Sequence, residues 1–174
     1  SLDEGLKGKL LMLPSIEVIA QNQSVLHAPA ILAARSAIEN EVARGFEGDL
    51  LKIYNNLHGK NLFSKDAKDF GRRHLKNLCL GYLGNLKAHQ NLVDLVWEQF
   101  VTAQIMTDEE VAFSILLNFD DDRRQKATEI FYSKWKEEPL VLNKWFGLQA
   151  SSYHPETFKT VQKLWAHPDF VKTN

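Results

Sequence analysis

Apolar residues recur at steps of three and four through most of the chain. Ile31, Ala34, Ile38 and Val42 form one series; Phe46, Leu50, Tyr54 and Leu57 form the next. Leu92, Val96 and Phe100, then Val111, Ile115 and Leu116, then Ala127, Ile130, Phe131 and Trp135 continue the pattern. Each position of a helix turns about 100° from the last, so this spacing lays every series along one stripe. No stretch alternates as a half-buried strand does, and no Asn-Gly or Asp-Gly pair marks a tight hairpin. The pattern predicts an all-α chain.

Helix boundaries are written in the polar and special residues. Ser15 follows Pro14 and precedes Ile16-Glu17-Val18, as an N-cap does. Pro29 suits the first turn of a helix running to about Arg44, with Gly45 available for a left-handed exit. Ser64 is expected to cap a helix through Tyr82, with Asp66 and Asp69 near its positive end. Thr107-Asp108-Glu109-Glu110 reads as a capping box, Asp120 to Asp122 as the opening of the next helix, and Pro139 and Pro155 as starts of two more.

Helices are therefore expected near residues 29, 45, 65, 88, 107, 121, 139 and 155, and residues 107–136 and 139–167 read as consecutive helical hairpins. A two-helix period of about 32 to 42 residues is that of degenerate repeats. The expected architecture is an irregular, right-handed α-solenoid of helical hairpins, armadillo- or HEAT-like, with residues 1–174 as a single helical-repeat domain; a globular bundle is the alternative. Leu140 to Leu148 is apolar around most of its circumference, as a helix buried on two sides would be. Trp97, Trp135, Trp145 and Trp165 are expected to anchor successive layers.

Composition narrows the function more than the fold. Hydrophobic residues are 44% and charged residues 25%, ordinary globular values, and 21 basic against 22 acidic residues leave a net charge of -1. Nucleic-acid binding, which needs a clustered cationic excess, is not expected. Neither is a membrane role, because no apolar run is long enough to span a bilayer and no basic amphipathic face appears. The single Cys79 cannot form an internal disulfide and lies in the apolar stretch Leu75 to Leu83, which fits a reducing, cytoplasmic setting. Ser1-Leu2-Asp3-Glu4 does not have the basic start of a signal peptide.

Candidate chemistry is sparse. His27, His58, His74, His89, His154 and His167 never fall in the HExxH spacing that sets two ligands one helical turn apart, and His154-Pro155-Glu156 reads as a helix start. His74, one turn from Phe70 and Leu78, reads as a hydrogen-bonded core histidine. Asp120 to Asp122 do not have the alternating oxygen ligands and glycine of a calcium loop and read as a solvated helix N-terminus. Ser151 and Ser152 stand near His154 without a GxSxG elbow. Gly5, Gly8, Gly45, Gly48, Gly81 and Gly84 are too scattered for a phosphate cradle. Lys144-Trp145-Phe146 offers a cation–π reading, against which stands a core aromatic pair with a snorkelling lysine. No catalytic, cofactor-binding or metal-binding residue is assigned.

A resemblance supplies what the chemistry does not. Tyr132-Ser133-Lys134-Trp135, followed by Pro139-Leu140-Val141-Leu142-Asn143-Lys144-Trp145-Phe146-Gly147-Leu148-Gln149-Ala150, closely resembles the pattern Y-x-x-K-W then P-L-V-x-x-K-W-F-x-L-Q-A of the C-terminal domain of the bacterial aminopeptidase N family. Leu13-Pro14-Ser15 resembles an earlier L-P-S, and Leu50 to Asn55 a later L-L-x-I-Y-N. Arg73 to Leu80 is similar to R-x-L-R-N-x-C-L, allowing one shift of register, and Met106-Thr107-Asp108 to N-M-T-D. The resemblance covers essentially the whole chain.

That resemblance implies a zinc-dependent gluzincin peptidase removing N-terminal residues from peptides, built from an N-terminal β domain, a thermolysin-like catalytic domain, a small β-sandwich and a helical C-terminal domain. The zinc ligands, the HExxH glutamate and G-x-M-E-N belong to the catalytic domain; none occurs here, so none is carried over. The helical domain is expected to cap the active-site cleft and restrict access to peptides. Phe170-Val171-Lys172-Thr173-Asn174 resembles the segment just before P-N-R-x-R, beyond which the substrate-facing arginines follow. The chain is thus expected to be the first half of that domain, with the catalytic domain and later repeats of the same polypeptide as its partners, peptide as the parent enzyme's substrate, and an apolar end where further repeats stack. Two other readings compete: a freestanding helical-repeat module binding protein or peptide, and a hydrolase built on Asp120 to Asp122 or His154.

Overall fold

The structure is a computed structural model that describes residues 2–59, 64–86 and 89–171. Among these residues there are ten helices and no strand: α1 (Glu4–Leu11), α2 (Ile16–Gln21), α3 (Ala28–Gly45), α4 (Glu47–Leu57), α5 (Ala67–Leu83), α6 (Gln90–Thr102), α7 (Met106–Leu116), α8 (Asp122–Trp135), α9 (Pro139–Ala150) and α10 (Thr157–Trp165). The all-α expectation holds. No helix among the described residues is long and apolar enough to cross a membrane. Residue 88, expected to open a helix, and Lys172 to Asn174, part of the resemblance at the end of the chain, lie outside the described residues.

Two compact units divide the chain, Ser1–Leu92 and Val93–Asn174. In the first, α1, α3 and α4 pack on α5. Leu75, Cys79, Leu80 and Leu83 of α5 are buried, as are Leu50 and Tyr54 of α4. Burying each large apolar side chain contributes roughly 1.5–3 kcal/mol, which is what holds a short helix such as α4 in place. Helix α1 approaches α5 closely enough for backbone to meet backbone: a Cβ at Gly71 would stand 2.8 Å from the Gly5 nitrogen, and one at Gly8 2.6 Å from the His74 ring. The Tyr82 hydroxyl ties the end of α1 down by donating to the Leu11 carbonyl at 2.6 Å.

The second unit repeats a simpler motif, α7 against α8, α8 against α9 and α9 against α10. Its core is aromatic. Phe113 and Phe131 stack at 4.6 Å, with Phe100 tilted 6.0 Å from Phe113. In α9, Trp145 and Phe146 are buried edge to face at 4.9 Å, while Leu140 is 82% exposed. The expectation that α9 is buried on two sides therefore fails at its first turn. Nor do all four tryptophans anchor layers: Trp145 is buried, Trp97 and Trp135 are half-buried, and Trp165 is 59% exposed beside Phe170.

Several boundary expectations are corrected. Gly45 does not provide a left-handed exit; α3 runs through it, and Phe46 ends α3 and starts α4 by itself. A one-residue link leaves no room for a left-handed turn, and among the described residues only Gly59 has a positive φ, 70°. Thr107 does not cap α7, because the helix already begins at Met106 and Ile105 occupies the N-cap position. Asp66, not Ser64, is the N-cap of α5, with the hydroxyl of Ser64, two residues earlier, accepting the Asp66 N–H. Helix α10 opens at Thr157, after Pro155, with the His154 Nδ1 accepting the Glu156 N–H. Ser15 and Asp121 do cap α2 and α8, accepting from Val18 and Arg123. The Ile31–Ala34–Ile38 stripe is only partly covered, since Ile38 is exposed. It lines a shallow apolar groove of about 290 Å³ with Leu13, Pro14 and Ile19.

Candidate functional site

Each histidine is committed to a local structural task. The His27 Nδ1 accepts the Ala30 N–H and caps α3. His58 stacks on Tyr54 and shares a 2.9 Å hydrogen bond with its hydroxyl. His74 is half-buried against Gly8. His89 meets Glu47 at 3.3 Å. His167 packs among Tyr132, Trp145 and Phe146 while its Nδ1 accepts the Asp169 N–H. Among the described residues no three His, Cys, Asp or Glu side chains converge as metal ligands would.

The nucleophile candidates are likewise dispersed. The Cys79 side chain is fully buried, and desolvation pushes its thiol up to about 11, which leaves almost no thiolate near neutrality. Ser151 donates to the Gly147 carbonyl and Ser152 bonds Thr157. Neither serine is joined to His154, whose Nδ1 takes the Glu156 N–H. At the start of α8, Asp121 caps the helix, and Asp122 pairs with Lys126, whose hydrogen bond holds the Asp122 carboxyl below the ordinary range. Asp120 points outward, 3.8 Å from the His154 Nε2. The aspartate run acts as a helix N-terminus, where carboxylates meet orphan N–H groups.

Lys144 pairs with Glu110 of α7 and leaves the Trp145–Phe146 pair in the core. The neighbouring Glu109 is buried and bridges the helices, accepting from Lys134 at 2.9 Å and from the Trp135 indole at 3.1 Å.

One concave feature of the second unit was not read from the sequence. A groove of about 510 Å³ with mixed polar and apolar lining runs along α8, α9 and α10, with Leu117, Trp145 and Leu164 among its apolar members. Arg124, Gln149 and Lys163 line it, each from a different helix. The Arg124 Nη2 lies 3.4 Å from the Thr160 hydroxyl, and its Nη1 3.3 Å from the His154 Nε2. A neutral His154 has one acceptor nitrogen, so the Glu156 N–H at Nδ1 and the Arg124 Nη1 at Nε2 compete for it. The only sequence signal for the groove was a basic residue in the first turn of α8 and a glutamine near the end of an apolar helix.

Comparison with known proteins places this geometry. A family model described as "Domain of unknown function (DUF3458_C) ARM repeats" matches residues 1–174. Aminopeptidase N of Caulobacter vibrioides is 36% identical over 172 residues, 97% of this chain and 19% of its own length. Aminopeptidase N of Escherichia coli is 32% identical over 174 residues, 99% of this chain and 20% of its own. The crystal structure of Legionella pneumophila aminopeptidase A in complex with aspartic acid matches with a TM-score of 0.83 and 29% identity, over 98% of this chain and 21% of that one. The chain spans about a fifth of the length of these relatives.

Proposed function

Because this chain belongs to the DUF3458_C family of ARM repeats, an all-α fold of the α-solenoid class, we propose that it is a non-catalytic part of the C-terminal domain of a larger zinc-dependent aminopeptidase. In that parent enzyme it caps the active-site cleft and restricts entry to peptides and unfolded chain ends. The observation that carries this reading is the end-to-end match to aminopeptidase N from two organisms at above 30% identity. The dispersed histidines and the protonated, buried Cys79 support its non-catalytic half.

Zinc belongs in this proposal to the remainder of the polypeptide. The donors present here do not fit it, because the Nδ1 atoms of His27, His154 and His167 already accept backbone N–H groups and, among the described residues, no acidic side chain joins a pair of imidazoles. The chain's partners are the catalytic domain and later repeats of its own polypeptide, the substrate of the whole is peptide, and the compartment is the cytoplasm, where a lone buried thiol stays reduced.

The test compares the parent enzyme with a version from which this segment is removed, using a short alanyl chromogenic substrate and peptides of increasing length and folded content. Both forms are expected to cleave the short substrate, and only the truncated form to accept folded chain ends. Identical size selectivity in the two would remove the capping role. Turnover by the isolated chain, free of host peptidases, would remove the non-catalytic one.

A further inference from the structure

We infer that the groove along α8, α9 and α10 is a binding site for a carboxylate-bearing ligand of amino-acid to short-peptide size. The first support is charge. Arg124 and Lys163 both line the groove, and neither has a carboxylate within ion-pair distance among the described residues. The acids at its rim are already compensated: Asp121 by the α8 N-terminus and Arg123, and Asp122 by Lys126. The groove therefore presents two cations, Arg124 and Lys163, that make no ion pair of their own among the described residues, beside two aspartates that are engaged elsewhere.

Geometry is the second support. Arg124 is half-buried and held only by long contacts, to the Thr160 hydroxyl at 3.4 Å and the His154 Nε2 at 3.3 Å, so its guanidinium fork has no carboxylate partner among the described residues. A carboxylate accepts two parallel N–H bonds from such a fork, and in a partly desolvated groove such a pair is among the stronger polar contacts. Asp120, wholly exposed and beyond hydrogen-bond distance of His154, does not supply that acceptor.

The third support is the lining opposite the arginine. Gln149 is 6% exposed, and its amide nitrogen is spent on the Trp145 carbonyl at 3.0 Å. Its own carbonyl accepts nothing among the described residues and lines the groove, ready for an amide or ammonium N–H. Trp145, Leu117 and Leu164 are among the apolar members of the lining. The volume, about 510 Å³, lies within the usual range of small-molecule sites. A ligand carrying a carboxylate, an N–H and a small apolar body satisfies all three surfaces. The inference concerns this chain alone and does not depend on the peptidase reading.

The experiment titrates the 174-residue chain with three capped peptides while following the tryptophan fluorescence and the methyl signals of Thr128 and Thr160. The peptides are N-acetyl-alanyl-alanine, its C-terminal amide, and N-acetyl-alanyl-glutamyl-alanine amide. The free acid is expected to bind and the simple amide not. Arg124→Gln is expected to weaken binding by about tenfold and Lys163→Gln by about threefold, the tenfold step being one strong charged contact. Binding of the free acid alone identifies a terminal carboxylate as the source. Equal binding of the glutamyl peptide supports the same chemistry with a side chain as the source. Binding of the simple amide as tight as that of the acid, or no binding of either acid, would overturn the inference. So would an Arg124→Gln protein with unchanged melting and unchanged affinity; should that variant not fold, Lys163→Gln, on an exposed side chain, carries the same comparison.

Discussion

Gly71 and Gly81 lie on the same helix, and alanine at each is expected to act in opposite directions. At Gly71 the new methyl would press on the Gly5 backbone at 2.8–2.9 Å, a contact that cannot rotate away, so Gly71→Ala should cost about 1–3 kcal/mol. At Gly81 nothing lies within 4 Å, so Gly81→Ala should gain roughly 0.5–1 kcal/mol from helix propensity alone. Urea unfolding of the two variants checks both signs. Cys79 gives a second handle. Its thiol is raised from 9.0 to about 11 in the folded chain, so the unfolded state ionises first and folding stability is expected to fall between those pH values. A disulfide reagent at neutral pH should label Cys79 only once denaturant opens the chain; prompt labelling of the native protein would contradict its burial. That Cys79 is buried was legible from its apolar neighbours. The backbone contact of Gly71 was not, because a glycine in a helix reads the same whether it meets another helix or open solvent.

At the scale of elements, the Thr107–Glu110 segment shows where local pattern and tertiary packing part company. The spacing of a capping box is met equally by a first helical turn whose acids reach a neighbouring helix, and that is how α7 uses it. Glu109 reaches α8 and Glu110 reaches α9. Glu109→Ala should destabilise by about 2–4 kcal/mol, since it strands the Trp135 indole N–H and opens the α7–α8 contact. Glu110→Ala, removing an ion pair whose lysine is half-exposed, should cost less than about 1 kcal/mol. Thermal melts of the two variants separate these roles, and equal losses would contradict them. The hairpins α7–α8 and α9–α10 were legible because their apolar period is unbroken between clear stops. The exposure of Leu140 and Trp165 was not, since an apolar stripe does not say whether its partner is present.

Over the whole chain, the family and the all-α class were both carried in the residues: the 3.6-residue period for one, the Lys144 to Ala150 string for the other. The carboxylate groove was not, because Arg124, Gln149 and Lys163 are far apart in sequence and meet only when three helices pack. The exposed apolar residues Leu140 and Phe158 belong to the same scale. Phe158→Glu is expected to change the stability of the isolated chain by less than about 0.5 kcal/mol, as surface substitutions do. In the parent enzyme the same change should lower the melting temperature by several degrees if further repeats cover that face, and parallel scans of both proteins would tell. The measurement that bears most directly on the central proposal is the sequence of the native reading frame around this chain. A frame about five times as long as these 174 residues, with HExxH and a distant glutamate upstream, is the expected result. A frame confined to these residues, with no peptidase motif before them, would contradict it and leave a freestanding helical-repeat module.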